Sequence, residues 1–148
     1  MKFKDGKNRC KWCNPKNDLY IKYHDEEWGV PNFEEKYLFE MLILESFQAG
    51  LSWECVLNKR EEFKKAFDNF DINKIIQYDE KKIKELINNE KIIRNKLKIK
   101  AAINNAKNIL KKDGIVDAED FYKFIERDDV TGCDWIRFLI EKGFLFNE

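Results

Sequence analysis

Glu45 is the side chain of this sequence whose setting most invites chemistry. It follows an apolar run (Leu38, Phe39, Met41, Leu42, Leu44) and precedes Phe47, so its carboxylate is expected where water is scarce. The same third of the chain carries a dense aromatic set: Trp12, Tyr20, Tyr23, Trp28 and Trp53. Ring faces around a single acid suit a flat, electron-poor or cationic guest. The rings stack on it, and the carboxylate supplies charge and hydrogen-bond acceptors. A nucleobase is such a guest. The plainer alternative is a glutamate solvated at a helix end, the commoner fate of that residue, with the rings serving as core.

Two further groupings could act. Cys10 and Cys13 form a Cys-x-x-Cys run upstream of His24, the only histidine. Alone, that pair fits zinc binding, redox chemistry or no chemistry. Further on, Lys91, Arg94, Lys96, Lys98, Lys100, Lys107, Lys111 and Lys112 follow one another with no acid between them. A helix starting within this run offers unpaired backbone N–H groups and the positive end of its dipole to a phosphate. The flanking cations would add counterion release on DNA. Lysines that merely solvate a helix are the other reading.

The elements that must position these groups read as helices. The chain has 148 residues, enough for one domain with a real core, taken as residues 1–148. Its hydrophobic content of 43% sits beside 38% charged residues, the balance of a helical protein with solvated outer faces. Formal net charge is zero, so any affinity for nucleic acid must come from local clustering. No apolar run approaches membrane-spanning length, and residues 1–9 are polar and basic. A secretory signal, a membrane anchor and a membrane partner are therefore not expected, and a cytoplasmic, monomeric protein is. In that compartment four cysteines argue for free thiols or metal before disulfides.

Both prolines, Pro15 and Pro31, fall early, and beyond them the pattern is helical. A helix is expected over 34–48, ending at Ala49-Gly50. Ser52 looks like the N-cap of a second helix to about residue 67, and Asp71 like the cap of a short one. Asp79 opens a helix with Ile83, Leu86 and Ile87 as its apolar stripe, and Ile92-Ile93 sit in a tight connection. A longer helix over about 95–112 carries Ile99, Ala102, Ile103, Ala106, Ile109 and Leu110 at helical spacing. Two shorter helices, near 118–127 and 133–141, close the chain. With no convincing strand, the fold class is all-α.

Residues 19–31 read Leu-Tyr-Ile-Lys-Tyr-His-Asp-Glu-Glu-Trp-Gly-Val-Pro, and residues 45–53 read Glu-Ser-Phe-Gln-Ala-Gly-Leu-Ser-Trp. With Ile92-Ile93-Arg94-Asn95, these stretches closely resemble the 3-methyladenine DNA glycosylase I family. The resemblance runs from about residue 10 to 112, with a fainter echo at Lys142-Gly143-Phe144. It implies a single-domain helical bundle with a helix-hairpin-helix DNA-binding element, here about 79–112. The implied activity is hydrolysis of the N-glycosidic bond of N3-methylated adenine in double-stranded DNA, which opens base-excision repair and yields free 3-methyladenine.

The resemblance also distributes roles. Glu45 becomes the catalytic-site carboxylate that hydrogen-bonds the extruded base, with Trp12, Tyr20, Tyr23 and Trp53 as pocket walls. Leu51, otherwise an ordinary core leucine, would face the duplex and fill the gap the base leaves. Arg94, Lys96 and Lys98 would hold phosphates. Lys91 occupies a place where such hairpins often carry glycine, which would be strained if the backbone needed positive φ there.

Cys10 and His24 match two zinc ligands whose partners come from a C-terminal His/Cys segment. That segment has no counterpart in the closing Gly143-Phe144-Leu145-Phe146-Asn147-Glu148. A structural zinc wants four ligands. Either the thiols are metal-free, or Cys13 and conceivably Cys133 complete an altered set. Two rival readings accompany the glycosylase: a relative of the same fold that binds DNA or methylated base without useful turnover, and a redox or zinc interaction module built on the Cys-x-x-Cys run.

Overall fold

The computed structural model describes residues 1–111. Within them the chain is helical, with one isolated antiparallel bridge between Lys2 and Asn8 and no strand. Helix α1 spans Asp18–Glu26, α2 Glu35–Gln48, α3 Trp53–Leu57 and α4 Arg60–Ala66. A 3-10 turn at Asp68–Phe70 leads to α5 Ile72–Ile75, α6 Glu80–Asn88 and α7 Lys96–Lys111.

Small polar residues start most of these helices, because their side-chain oxygens take up the free N–H groups of the first turn. Asn17 accepts from Leu19 and Tyr20, Ser52 from Cys55, Asp71 from Asn73 and Lys74, and Asp79 from Lys82. Asn95 does the same for α7 by accepting the Lys98 N–H at 3.1 Å. The predicted caps at Ser52, Asp71 and Asp79 are thus in place.

Helix α2 lies at the centre. Phe39, Glu40, Leu42, Ile43, Leu44 and Phe47 are all buried on it, the mark of a helix enclosed on most sides rather than one lying on a surface. It packs against α3, α7 and the 3-10 turn. Phe63, Phe67, Phe70, Ile75, Leu86, Ile92, Ile99 and Ala106 complete the core around it. The rings of Phe47 and Phe63 meet edge to face, 4.8 Å apart.

The single helix expected from Ser52 to about residue 67 is two helices. The Asn58 N–H turns back to the carbonyls of Glu54 and Val56, ending α3. The new direction of α4 brings the Arg60 guanidinium to Glu40 at 2.5 Å and to Glu27 at 2.7 Å. No local sequence signal encodes that break, which serves partners far along the chain. Helix α1 was not foreseen either. It is short and largely charged, and its stability comes from the Asn17 cap and from tertiary ties rather than from an apolar stripe.

Lys91 carries no strain. The only non-glycine residues with positive φ among those described are Asp68, Asn69 and Phe70. Lys91 instead donates its N–H to Asn89 Oδ1 at 3.0 Å, so an asparagine turn does what a glycine would otherwise do. The helices expected near 118–127 and 133–141 lie outside the described residues.

Burial works against the Arg60 charge, but its hydrogen bonds to Glu40 and Glu27 outweigh this and hold it firmly protonated. Removing one member of a buried ion pair strands the other. Arg60→Ala is therefore expected to lower the unfolding free energy by about 3 kcal/mol, read from urea denaturation, while Glu61→Ala on the exposed side of α4 should change it little.

Candidate functional site

Glu45 lies one turn from the C-terminal end of α2, beside the buried Leu42 and Leu44. Its side chain is partly buried, and among the described residues no donor hydrogen-bonds its carboxylate. Burial alone pushes its pKa from 4.5 up to about 7. Beside it lies Tyr23 of α1, whose phenol is pushed well above its usual range, first by burial and then by the Glu45 carboxylate. The Tyr23 ring meets that of Trp53, the first residue of α3, at 5.4 Å and a tilt of 58°. The Trp53 indole Nε1–H is buried without an acceptor.

An acid without a donor and an N–H without an acceptor, both bordering one tilted ring pair, are unusual inside a protein, where such groups are nearly always satisfied. Each leaves an open demand that a planar ligand with polar edges would meet.

Asn17 holds the three elements in register. Its Oδ1 caps α1, and its Nδ2 donates to Glu54 Oε1 and Asn58 Oδ1, both at 2.8 Å, on α3 and its C-cap. Asn14 donates to the same Glu54 oxygen at 2.8 Å. These bonds set Tyr23 against Trp53. Nothing in the linear sequence pairs Asn17 with Glu54, so sequence reasoning missed both.

The predicted aromatic set divides. Tyr23 and Trp53 gather with Glu45. Trp12 and Tyr20 join a second group with His24 and Trp28: Trp12 lies 5.2 Å from Tyr20, 5.1 Å from His24 and 5.3 Å from Trp28. Trp28 stacks on His24 at 5.7 Å, its plane only 18° away. Tyr20 is buried, whereas Trp12 and Trp28 are 40% and 50% exposed. Because Tyr20 and Tyr23 are three residues apart on α1, one helix carries both groups.

Leu51 is exposed, in the turn joining α2 to α3. Gly50 enters that turn at φ +78°, and the Leu51 N–H donates to Gln48 O at 2.7 Å. Arg94 and Lys96 are exposed at the start of α7. Lys98 is not free in the same way. Its ammonium donates to the carbonyls of Phe47 at 2.8 Å and Ala49 at 2.6 Å. Two of the three donors of Lys98, expected above as a phosphate contact, are thus engaged at the end of α2.

Cys10 and His24 come together, with the Cys10 amide N–H donating to His24 Nε2 at 3.3 Å. His24 Nδ1 pairs with Asp25 Oδ1 at 2.9 Å. Asp25 and Asp5 flank the buried Arg9 guanidinium, whose hydrogen bonds hold the Asp25 carboxyl far below the usual range and bring Asp5 to about 2. Cys13 does not join as a third ligand. It is buried, and its thiol donates to Tyr20 O at 3.8 Å. Among the described residues no three His, Cys, Asp or Glu side chains gather as a metal-holding group. Cys133 lies outside them. Cys10, Cys13 and Cys55 are free thiols, and no described helix is long and apolar enough to cross a membrane.

The described residues define an all-α fold in which an unpaired acid lies beside a pair of aromatic rings. The chain belongs to the methyladenine glycosylase family, whose pattern matches residues 12–130. It is similar to the DNA-3-methyladenine glycosylase 1 of Escherichia coli (strain K12), 47% identical over 88 residues that make up 60% of this chain and 46% of that protein. Among solved structures, a crystal structure of 3-methyladenine DNA glycosylase I superposes with a TM-score of 0.73 at 42% identity, covering 80% of this chain and 66% of that one. A variant of 3-methyladenine DNA glycosylase I in complex with 3-methyladenine superposes with a TM-score of 0.68 at 32% identity, over 74% of this chain and 60% of that one. The chain thus spans about half the length of the Escherichia coli relative.

The Glu45 environment predicts a pH-dependent stability difference. An acid whose pKa rises on folding destabilises the folded state as pH climbs through the folded value, and the penalty is absent below the ordinary one. Glu45→Gln, which removes the charge and keeps the shape, is expected to match the parent near pH 4.5. By about pH 8 it should be the more stable by about 2 kcal/mol, measured by urea denaturation across that range.

Proposed function

We propose that this chain is a DNA N-glycosylase that releases 3-methyladenine from alkylated duplex DNA. The observation that carries this reading is an unpaired Glu45 carboxyl and an unpaired Trp53 Nε1–H, with Tyr23 next to both residues. Methylation at N3 makes the base cationic. Its glycosidic bond is already weak, and it departs neutral, so the chemistry asks little of a general acid. Discrimination has to come from binding.

The Tyr23 and Trp53 rings favour an electron-poor face. Glu45 complements the charge and amino edge of the cation. With its pKa near 7, it is readily drawn to the ionised form by a cation at its side. An unmethylated adenine brings no charge to offset the desolvated carboxylate. The second aromatic group, with Trp12 and Tyr20, supports α1 and presents exposed Trp12 at its rim.

On the duplex side, Leu51 fits the role of an apolar wedge that occupies the space of the extruded nucleotide. Arg94, Lys96 and the free N–H groups at the start of α7 would hold phosphates, the connection between α6 and α7 acting as the hairpin of a helix-hairpin-helix element. Water then attacks the sugar, which has oxocarbenium character. Cys10 and His24 would supply two ligands to a structural zinc, which would staple the segment before α1 to that helix.

Incubating the protein with methylated duplex DNA and identifying the released bases by chromatography tests this reading. Release of 3-methyladenine is expected. Glu45→Gln should slow it by one to two orders of magnitude, or about 1.5–3 kcal/mol, the worth of a charge-assisted hydrogen bond. Absence of both release and binding of free 3-methyladenine would overturn it, and binding without release would leave a recognition protein.

DNA affinity should be sequence-independent and steeply salt-dependent. Arg94→Ala and Lys96→Ala should each flatten the plot of log affinity against log salt by about one unit per lost phosphate contact. An unchanged slope in both would move the DNA surface elsewhere.

A further inference from the structure

We propose that Lys98 is a positioning residue: its ammonium staples the first turn of α7 to the last turn of α2 and so fixes the turn that presents Leu51 relative to the hairpin. The inference rests on the proposed base extrusion and goes beyond it, because it assigns Lys98 to geometry rather than to a phosphate.

A helix ends in carbonyls that have no partner and carry the negative end of the dipole, and a cation placed there satisfies both. Helix α2 has no basic residue in its own last turn. Lys98, supplied from a different helix, donates to Phe47 O at 2.8 Å and Ala49 O at 2.6 Å. An ammonium has three N–H donors, so little of its hydrogen-bonding capacity remains for DNA. The other end of the link is rigid as well. Asn95 caps α7 at the Lys98 N–H, and Ile99, the next residue, is fully buried.

The turn held in this way has few ties of its own. Ala49 leaves the helix with ψ 119°, Gly50 takes φ +78° with open space around it, and Leu51 is half exposed. Its own hydrogen bond is Leu51 N–H to Gln48 O. Without Lys98, a glycine-containing turn between two helices would present its leucine over a range of positions. With it, the wedge at Leu51 and the phosphate-holding residues Arg94 and Lys96 move as one body, so that gripping the backbone places the wedge. A partly buried amine resists protonation, and the burial at Lys98 does lower its pKa. The two carbonyls therefore have to stabilise the charged form, as they would in a structural clamp.

Lys98→Met keeps the aliphatic stem and removes the donors, and Lys98→Arg keeps donors. Four readouts separate the roles. Amide hydrogen exchange over residues 49–52 should accelerate in Lys98→Met by about tenfold or more while the core helices keep their protection. Affinity for free 3-methyladenine should stay within about twofold, and excision from methylated duplex should lose about tenfold or more in kcat, because misplacement away from the reacting bond acts on the reacting geometry. The salt slope of DNA binding should equal that of the parent.

Lys98→Arg should restore most of the exchange protection. Unchanged exchange over residues 49–52 in Lys98→Met would overturn the staple, and a slope reduced by about one unit would return Lys98 to the phosphates. Loss of protection throughout the chain would overturn a positioning role in favour of a general structural one. Exchange is read without DNA, so a parent that releases no base would remove the proposed activity while the staple is still decided.

Discussion

A carboxylate on a helix enclosed by apolar side chains must give up water, and two acids on α2 meet that loss in opposite ways. Glu40 is buried and receives the Arg60 guanidinium, with the Lys64 ammonium 3.8 Å away. Glu45, five residues on, receives no donor among the described residues, and its pKa rises to about 7. The first acid is satisfied within the fold and ties α4 to the centre of the molecule. The second has no partner among the described residues. The same desolvation makes Glu45 a burden for the stability of the folded chain.

The rest of the site exists to hold that acid against two rings. Tyr23 arrives on α1 and Trp53 on α3, and neither helix is long enough to be stable by itself. Asn17 solves this by capping the one and bonding the other through Glu54 and Asn58. At the far end of α1, Arg9 bridges Asp5 and Asp25, and Asp25 in turn orients His24 beneath Trp28. The polar ties are therefore concentrated on α1, which buries Tyr20 alone, and the placing of Tyr23 beside Trp53 follows from them.

One helix end joins the acid-and-ring cluster to the exposed turn at Leu51. The last turn of α2 carries Glu45 and Phe47, its C-cap is Ala49, and the turn that follows displays Leu51 and delivers the chain to Trp53. Lys98 reaches this end from α7, the helix that starts with the exposed cations Arg94 and Lys96 beside it. The exposed start of α7 is thus tied to the end of α2 by a charged hydrogen bond as well as by helix packing.

Whatever depends on neighbours along the chain was legible from the order of residues. Ser52, Asp71 and Asp79 had to cap, because their side chains reach the free N–H groups of the turn they begin. The apolar spacing of residues 99–109 had to face inward, and Ile99, Ala102, Ile103, Ala106 and Ile109 are buried. The motif at 45–53 was enough to bring Glu45 and Trp53 into one reading. Tertiary structure alone decided what depends on residues tens of positions away. It broke the chain at Asn58 so that Arg60 could meet Glu27 and Glu40, and it separated Trp12 and Tyr20 from the Tyr23–Trp53 pair. It also took Lys98 out of the basic run and gave its charge to α2. A lysine reads the same in any run of lysines, and only the arrival of two carbonyls at its ammonium sets Lys98 apart from its neighbours.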